Sequence, residues 1–474
     1  MTAYRSPLSP TQLDTSSSSS TVERQLSNRR KPTALPIDHA VINSKREFSA
    51  AQTSHSGLTA CKLSSTLTHR TSKQPMITIP FSYHVGGALS WNDPTYIKRK
   101  ADRALSNAIT QGKFAYILGP RQTGKSSLRI QTRHQLVQQG YRCVTVHANQ
   151  LCNTTKASAT ISTPEEGCSA FISTLWTDLN LNKTTALRAW LKATAALPVS
   201  ERLAHFSSSI LLGELRKTPV VIFIDEIDAL LETPFLVDLL QWIQQCNSDR
   251  NTEATYKNLN FVLLGTTTAS ELSSTCPAGT AQLQPTAEPS DDIEMLFSNG
   301  CQISLPPFQL LETFSLQQGF EEKIDNPTAL LKAIFKWTQG QPFLTQKICC
   351  LASGLMDTLV QPSYKPIVLS TKTINQWTDN LVRSHIIKNW TTQDDPIHFR
   401  AIRDRFIYSP HSKALLTLYK TIYAGTPVLA NDRPLQAELR LLGIVSILNG
   451  HLQIANPVYR EIFSVKQSRL SKVG

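Results

Sequence analysis

The sequence predicts an α/β fold in which a parallel five-stranded sheet is covered by helices on both faces. Short apolar runs alternate with helical patterns between residues 114 and 305, and this alternation favours parallel strands joined by helices. The first run ends in a glycine-containing turn, and the third, Val220 to Asp225, ends in an acid. These groups would lie at the carboxyl edge of the sheet, where open α/β folds bind ligands.

Each strand is predicted from a short run rich in β-branched and aromatic residues. In chain order the runs are "FAYIL", "RCVTVHA", "PVVIFID", "LNFVLLG" and "CQISL". The fourth run is expected between the first and third strands. Helices are predicted in "YIKRKADRALSNAI", from Leu128 to Gln139, in "GCSAFISTLWTDL" and in "LVDLLQWIQQC", and residues 273–293 are predicted to form a surface loop.

A phosphate-binding loop is predicted in "FAYILGPRQTGKSSLRI", Phe114 to Ile130. Gly119 and Gly124 permit a backbone geometry that side chains would block, so successive amides can surround an anion. A helix that begins near Lys125 aims its N-terminus at the same anion. Lys125 adds a charge beside the β- and γ-phosphates, and Ser126 offers its hydroxyl to Mg²⁺. The predicted nucleotide-binding residues are Gly119, Pro120, Arg121, Gln122, Thr123, Gly124, Lys125, Ser126 and Ser127.

Two further strand ends carry candidate catalytic groups. Asp225 is expected to hold the Mg²⁺ shell through water, and Glu226 to orient and deprotonate an attacking water. An acidic pair after a strand is otherwise a common helix N-cap, and Asp228 is assigned no role. Thr266 and Thr267 end the fourth strand, where a hydroxyl could sense the γ-phosphate; threonines at strand ends are equally common as turn residues.

The remainder of the chain is predicted to be mainly helical. Residues 309–360 have helical patterns broken at "TQGQPF", and residues 396–465 have two helical patterns before "GIVSILNGHLQIANP", where "NG" predicts a hairpin turn. Helices followed by a hairpin indicate a winged helix-turn-helix. The predicted domains are a disordered basic tail (1–75), a P-loop core (76–308), a helical lid (309–390) and a winged-helix domain (391–474).

Net charge, cysteine content and the length of apolar runs indicate the class of protein. The net charge is +13, which suits a polyanion or an anionic membrane but also an ordinary solvated surface. Ten Lys/Arg against four Asp/Glu in residues 1–75 give the tail its basic excess. Nine cysteines without a CxxC pair indicate reduced thiols, hence a cytoplasmic location, and make a zinc site an unfavoured alternative. No apolar run reaches eighteen residues, so no transmembrane segment is expected.

These stretches together resemble a family, the STAND-type P-loop NTPases related to AAA+ proteins, and especially the bacterial AAA-like domain proteins common in cyanobacteria. The resemblance covers about residues 83–465. It rests on "YHVGGALSWNDPTYIKRKADRAL", "ILGPRQTGKSSLR", "VIFIDEIDALL", "FVLLGTTTASEL", "WTQGQPFLTQKIC", "IIKNWTTQDDPIHFRAIRDR" and "LRLLGIVSILNGHLQIANPVYREIF". It implies ATP or ADP with Mg²⁺ as ligands, a lid, and a winged helix packed against the nucleotide.

The resemblance also implies two further contacts. Pro342, in the Gly340-Gln341-Pro342 turn, matches a proline that packs near adenine, and Arg99 matches the segment that approaches the base and ribose. Two departures concern basic residues: "GTTTAS" lacks the arginine that many relatives carry after the fourth strand, and "SNGCQISL" has Cys301 and Gln302 where relatives usually carry a basic residue. Arg250, Arg121 or a neighbouring subunit would then supply the transition-state charge, and slow turnover is expected.

Three functions are consistent with the sequence. The first is an ATP/ADP switch that controls lid and winged-helix placement, with an unknown protein effector and a nucleotide-dependent homo-oligomer. The second is a DNA-binding ATPase, for which "HFRAIRDRF" supplies Arg400, Arg403 and Arg405; it is not favoured, since Arg405 does not share the face of the other two. The third is a scaffold locked by ADP.

Overall fold

The structure is a computed structural model that describes residues 81–152, 163–181, 186–274, 291–359 and 366–464. These residues all belong to one compact unit, residues 77–474. The predicted tail and most of the predicted loop at 273–293 lie outside the described residues. Within the described ranges, no helix is both long and apolar enough to cross a membrane.

A parallel five-stranded sheet forms the centre of the N-terminal half, as predicted. The strands are β1 (Ala115–Leu118), β2 (Arg142–His147), β3 (Val220–Asp225), β4 (Leu259–Gly265) and β5 (Cys301–Gln302). Their order across the sheet is β2-β3-β4-β1-β5, and every pair is parallel. The prediction that the fourth strand lies between the first and third is confirmed. The ends of β1, β3 and β4 therefore converge at one edge.

Helices cover both faces of the sheet. They are α1 (Lys100–Thr110), α2 (Lys125–Gln138), α3 (Ala148–Cys152), α4 (Pro164–Asp178), α5 (Leu187–Ala193), α6 (Val199–Phe206), α7 (Leu212–Leu215), α8 (Phe235–Ser248), α9 (Ala269–Ser273) and α10 (Asp291–Asn299). Strand β3 shows how the faces are filled, because successive side chains of a strand point to opposite faces. Ile222 and Ile224 join one apolar cluster, and Val221 and Phe223 join the other.

The C-terminal half is helical apart from one hairpin. Its elements are α11 (Phe314–Gln317), α12 (Pro327–Thr338), α13 (Pro342–Leu359), α14 (Thr371–Val382), α15 (Trp390–Gln393), α16 (Phe399–Tyr408), α17 (Ser412–Tyr423), α18 (Pro434–Leu441), β6 (Val445–Leu448), β7 (His451–Ile454) and α19 (Pro457–Ile462). The predicted break at "TQGQPF" is confirmed between α12 and α13.

One apolar cluster runs through the predicted lid and the predicted winged-helix domain. Trp390 packs edge-on against Phe399, with ring centroids 6.2 Å apart, and against Phe463 at 6.0 Å. Phe343 of α13 lies 4.5 Å from the His398 ring. The two predicted units therefore share a continuous core, and the boundary at residue 390 stays a prediction.

The hairpin is confirmed and turns at Asn449 and Gly450, whose φ angles of 51° and 77° are left-handed. Such angles suit the short hairpin turn that "NG" predicts. Three helices, α16, α17 and α18, precede the hairpin rather than the two predicted. The helices and hairpin are arranged as the winged-helix prediction requires, but that assignment remains a prediction.

Candidate functional site

The N-terminus of α2 is open to an anion. Gly124 precedes it with φ +92° and offers no side-chain cap, and the first turn contains no acid. The first amides of a helix have no partner within the helix, so these can meet an anion supplied by a ligand. A Cβ at Gly124 would lie 2.8 Å from Arg99 Nη2, whereas one at Gly119 would meet no atom within 4 Å. The predicted steric need for glycine therefore holds at Gly124, while space does not demand it at Gly119.

Lys125 is folded against its own loop. Its Nζ donates to the carbonyl oxygens of Gly119 at 2.8 Å and Pro120 at 2.6 Å, and lies 3.5 Å from Thr266 Oγ1. Burial lowers the pKa of Lys125 to about 8, although the nearby carboxylates of Asp228 and Asp225 favour the charged form. A desolvated ammonium beside main-chain oxygens would gain strongly from a phosphate oxygen.

Asp225 lies at the end of β3, and each of its carboxylate oxygens accepts one hydrogen bond. Its Oδ2 accepts from Arg129 Nε at 2.9 Å, and its Oδ1 accepts from the Glu226 amide at 3.1 Å. Arg129, one turn into α2, also donates to Thr145 Oγ1 of β2 at 3.1 Å. The carboxylate predicted to serve the metal is therefore neutralised by an arginine that the sequence did not single out.

Thr266 is the point where several candidate groups meet. Its amide donates to Asp228 Oδ1 at 2.7 Å, and its carbonyl accepts from Arg405 Nη2 at 3.3 Å. With Lys125 beside the hydroxyl, the residue contacts three different segments of the chain. Asp228, which the sequence left without a role, connects the turn after β3 to the end of β4.

The other two catalytic candidates have different surroundings. Glu226 is exposed, and its backbone is left-handed, with φ 60° and ψ 40°. This conformation is uncommon for residues other than glycine. Thr267 is fully buried, and its Oγ1 donates to Glu271 Oε2 at 2.7 Å. Its hydroxyl is thus engaged with the start of α9, and a catalytic role for Thr267 stays a prediction.

The structure excludes one of the arginine candidates, Arg250, and leaves Arg121 in the loop. Arg250 donates to the carbonyl oxygens of Gly112 and Leu259, which lie before β1 and at the start of β4. It therefore sits at the opposite edge of the sheet and cannot act in this site. Arg121 is exposed in the loop, and Arg405 of α16 reaches the loop end of β4.

The three arginines considered for DNA binding contact different parts of the structure. The Arg400 guanidinium donates from Nη2 to the Asp394 main-chain carbonyl at 3.2 Å, and its Nε lies 3.8 Å from Asp394 Oδ2. Arg403 pairs with Asp404 at 2.6 Å. Two of the three guanidinium groups are therefore engaged with acidic residues, and the third, Arg405, faces the P-loop site.

Arg99 is 6% exposed and hydrogen-bonds to the main chain of the loop. Its Nη1 donates to the carbonyl oxygens of Thr123 at 3.0 Å and Pro306 at 3.2 Å, and its guanidinium lies 5.2 Å from the Phe308 ring centroid. Burial lowers its pKa. Nη1 of Arg99 thus serves the main chain, while Nε has no protein partner.

The Gly340-Gln341-Pro342 turn touches the loop directly. Gln341 Nε2 donates to the Gln122 carbonyl at 3.3 Å. Gly340 has φ +74°, and an added Cβ would lie 2.0 Å from the Phe308 carbonyl oxygen. Only glycine meets both constraints. The turn therefore places Pro342, the first residue of α13, beside the loop.

Two cavities adjoin the loop. The larger, about 1090 Å³, separates Arg121 and Thr123 from α16 and the hairpin and includes Arg405 and His398 in its wall. Burial lowers the pKa of His398 to about 3, so that histidine is neutral at physiological pH. The smaller, about 70 Å³, lies on the other side, between the segment at 84–89, the start of α1, the loop and the start of α13, and Pro342 lines both.

The loop suits a magnesium nucleotide by its donor set. Ser126 is half-buried in the first turn of α2 and offers a hydroxyl oxygen, and Asp225 offers carboxylate oxygens at the neighbouring strand end. Among the described residues, no group of three or more His, Cys, Asp or Glu side chains could hold a metal ion. Mg²⁺ commonly takes one or two protein oxygens and completes its shell with phosphates and water, so it would enter with the nucleotide.

Four residues of the site were missed or set aside in the sequence. Arg129 follows Lys125 by four positions, which puts both on one face of α2. Asp228 follows Asp225 by three positions across a turn. Arg405 was set aside because it leaves the face of Arg400 and Arg403, and that same displacement directs it to the loop. Gln346, one turn into α13, carried no sequence signal.

Comparison with known families matches residues 84–361 to the AAA-like domain. A curated relative is an uncharacterized WD repeat-containing protein of Synechocystis sp., 34% identical over 386 residues, or 81% of this chain. The chain spans about 30% of the length of that relative.

Two solved structures are similar to this chain over most of their own length. A Walker-type ATPase of Pyrococcus abyssi is 15% identical with a TM-score of 0.46, covering 80% of this chain and 99% of its own. The ORC2 protein of Aeropyrum pernix, solved as ADPNP–ADP complexes, is 13% identical with a TM-score of 0.41. The match covers 80% of this chain and 97% of the ORC2 chain.

Proposed function

Because the chain belongs to the AAA-like domain family, we propose that it binds ATP with Mg²⁺ at the loop from Gly119 to Ser127, hydrolyses it slowly, and acts as a nucleotide-dependent switch. Lys125 and the first amides of α2 would hold the phosphates, as their geometry and charge favour. Ser126 and Asp225 would hold Mg²⁺, which supplies a Lewis acid to the phosphoryl oxygens when bound. Glu226 would activate water.

The observation that carries the proposal is the position of Thr266. It lies beside Lys125 on one side and accepts a hydrogen bond from Arg405 of α16 on the other. A γ-phosphate beside Lys125 would attract the Arg405 guanidinium, whereas ADP would leave it on the Thr266 carbonyl. The nucleotide state would thus change a contact that fixes α16 to the sheet, which is what a switch requires.

Arg405 would also supply the positive charge that the stretch after the fourth strand lacks. An arginine that stabilises the transferring phosphoryl group accelerates hydrolysis by roughly 10³ to 10⁵. In this structure Arg405 points to a carbonyl rather than into the loop, so slow hydrolysis is expected until it moves. The DNA-binding alternative loses support, because the Arg400 and Arg403 side chains are paired with Asp394 and Asp404.

A native-mass experiment tests the switch. The protein is measured without nucleotide, with ADP, and with a non-hydrolysable ATP analogue, each with Mg²⁺. Retained nucleotide and a change of assembly state between ADP and the analogue would support a nucleotide-dependent homo-oligomer. Identical masses in all three conditions, with no nucleotide retained, would reject the proposal.

A second measurement separates a hydrolase from an ADP-locked scaffold. Glu226→Gln keeps the shape of the side chain but removes the base, so the variant should retain ATP that the native protein converts to ADP. Glu232→Gln, on an exposed residue outside the loop, is the matched control. Equal ADP content in the native protein and Glu226→Gln would favour the scaffold.

A further inference from the structure

Three residues that line the smaller cavity beside the loop carry buried polar atoms that have no protein partner. They are Oε1 of Gln346, Oε1 of Gln122 and Nε of Arg99. Gln346 is 5% exposed and Arg99 is 6% exposed. A buried polar atom without a partner costs stability, and such a group in a native cavity calls for an explanation. A ligand that brings the missing partners provides one.

The orientation of Gln346 is fixed by its neighbour. Its Nε2 donates to the Thr95 carbonyl oxygen at 3.2 Å, and a carbonyl can only accept a hydrogen bond. The amide nitrogen must therefore face Thr95, which leaves Oε1 as an acceptor. Gln122 likewise presents an acceptor, while Arg99 presents a donor.

The remaining walls of the cavity are suited to a flat ring. Ile97, Phe308, Pro342 and Phe343 supply apolar surface, and ligand sites typically combine such surface with a few placed polar groups. The volume of about 70 Å³ exceeds the space that several water molecules need and admits the edge of an aromatic ring. Gly124 and Ser127 connect this cavity to the phosphate-binding turn.

From these contacts we infer that Gln346 reads the base of the bound nucleotide and selects adenine through its exocyclic amino group. Adenine carries an N6 amino donor and a ring-nitrogen acceptor, whereas guanine carries an oxygen acceptor at the same position. The amino group would donate to Gln346 Oε1, and Gln122 Oε1 is a second acceptor nearby. Guanine would place its oxygen against an acceptor. This inference rests on the proposed nucleotide site and adds its base specificity.

The test compares triphosphates that differ only in the base. Dissociation constants for ATP, GTP and purine riboside triphosphate, which lacks the amino group, are measured with Mg²⁺ on the full chain. The native protein should bind ATP about tenfold more tightly than purine riboside triphosphate, as one buried hydrogen bond predicts, and should disfavour GTP by about tenfold or more.

Variants then assign the effect to Gln346. Gln346→Leu removes the acceptor and should bring ATP and purine riboside triphosphate within about threefold of each other, mainly by weakening ATP. Gln138→Leu makes the same change on the exposed side of α2 and should keep the native ratio. Should Gln346→Leu fail to fold, the ligand comparison on the native protein still decides.

Each outcome separates this inference from the proposed function. Equal binding of all three triphosphates by the native protein overturns the base-reading inference and leaves the phosphate site intact. A native ratio retained in Gln346→Leu removes the role from Gln346. Failure of the native protein to bind any triphosphate rejects the nucleotide site itself.

Discussion

Arg129 donates from Nε to Asp225 Oδ2 over 2.9 Å, and the two side chains are 9% and 4% exposed. A buried ion pair is a weak source of net stability, yet removing one member leaves the other charge uncompensated. We therefore expect Arg129→Gln to lower the free energy of unfolding by about 3 kcal/mol or more. Urea denaturation measures this change.

The control for that substitution lies on the same helix. Arg133 is exposed, so Arg133→Gln should change the free energy of unfolding by less than about 0.5 kcal/mol. Combining Arg129→Gln with Asp225→Asn should recover part of the loss, because no buried charge then remains unpaired. If Arg129→Gln alone were as stable as the native protein, Arg129 would not neutralise Asp225.

The pKa of Lys125 predicts how nucleotide binding depends on pH. With that pKa lowered to about 8, the ammonium is charged below pH 8 and lost above it. Binding to phosphate favours the charged form, so ATP affinity should be constant below pH 7 and fall by about tenfold at pH 9. Lys125→Arg keeps its charge and should bind with no such fall, and a native affinity unchanged to pH 9 would contradict the assignment.

The same pKa shift predicts an effect on stability. Between about pH 8 and the ordinary lysine value, the unfolded chain carries a proton at Lys125 that the folded chain lacks, so this group makes stability rise with pH. As the pH rises through that range, the unfolding free energy of Lys125→Met should therefore increase less than that of the native protein. Denaturant midpoints at pH 7.5 and 9.5 measure the difference, and parallel changes in both proteins would argue against the shift.

Arg405 should affect hydrolysis more than binding. Its removal takes away a charge needed when phosphoryl charge develops, so Arg405→Gln should lower kcat by about tenfold or more. The dissociation constant for ATP should change by a smaller factor than kcat. Arg403→Gln, two residues earlier and paired with Asp404, is the control. Equal kcat for the native protein and Arg405→Gln would exclude the role.

Gly340 and Gly354 provide a matched pair for the turn before α13. Gly340→Ala puts a Cβ 2.0 Å from the Phe308 carbonyl oxygen at φ +74°, and should cost about 3 kcal/mol or more of unfolding free energy. Gly354 lies exposed within α13, where a Cβ meets no atom within 4 Å. Gly354→Ala should therefore stabilise the helix by about 0.5–1 kcal/mol. Thermal unfolding compares the two.

The sheet could be predicted from sequence because its signals are local. An apolar run such as Val220 to Asp225 fixes a buried strand, and the spacing from Gly119 to Ser126 fixes the turn that follows β1. The contact partners could not be predicted in the same way. That Arg405 meets Thr266, or that Arg250 lies at the opposite edge of the sheet, depends on how distant helices pack, and a residue's neighbours in sequence do not determine this.

Gln346 illustrates the same limit within the site. It lies in an apolar helical stretch, where a glutamine is not distinctive, and its significance comes from the Thr95 carbonyl that fixes its amide. By contrast the hairpin at Asn449 and Gly450 was predictable, because left-handed angles at both positions depend on residue type alone.

The aromatic contacts of Trp390 with Phe399 and Phe463 bear on how the chain can be divided in the laboratory. Cleaving or truncating the chain at residue 390 would divide this aromatic cluster. Both fragments would then expose apolar surface to water. Fragments made at that point should precipitate or require detergent, so expression trials should carry the chain intact through residue 464.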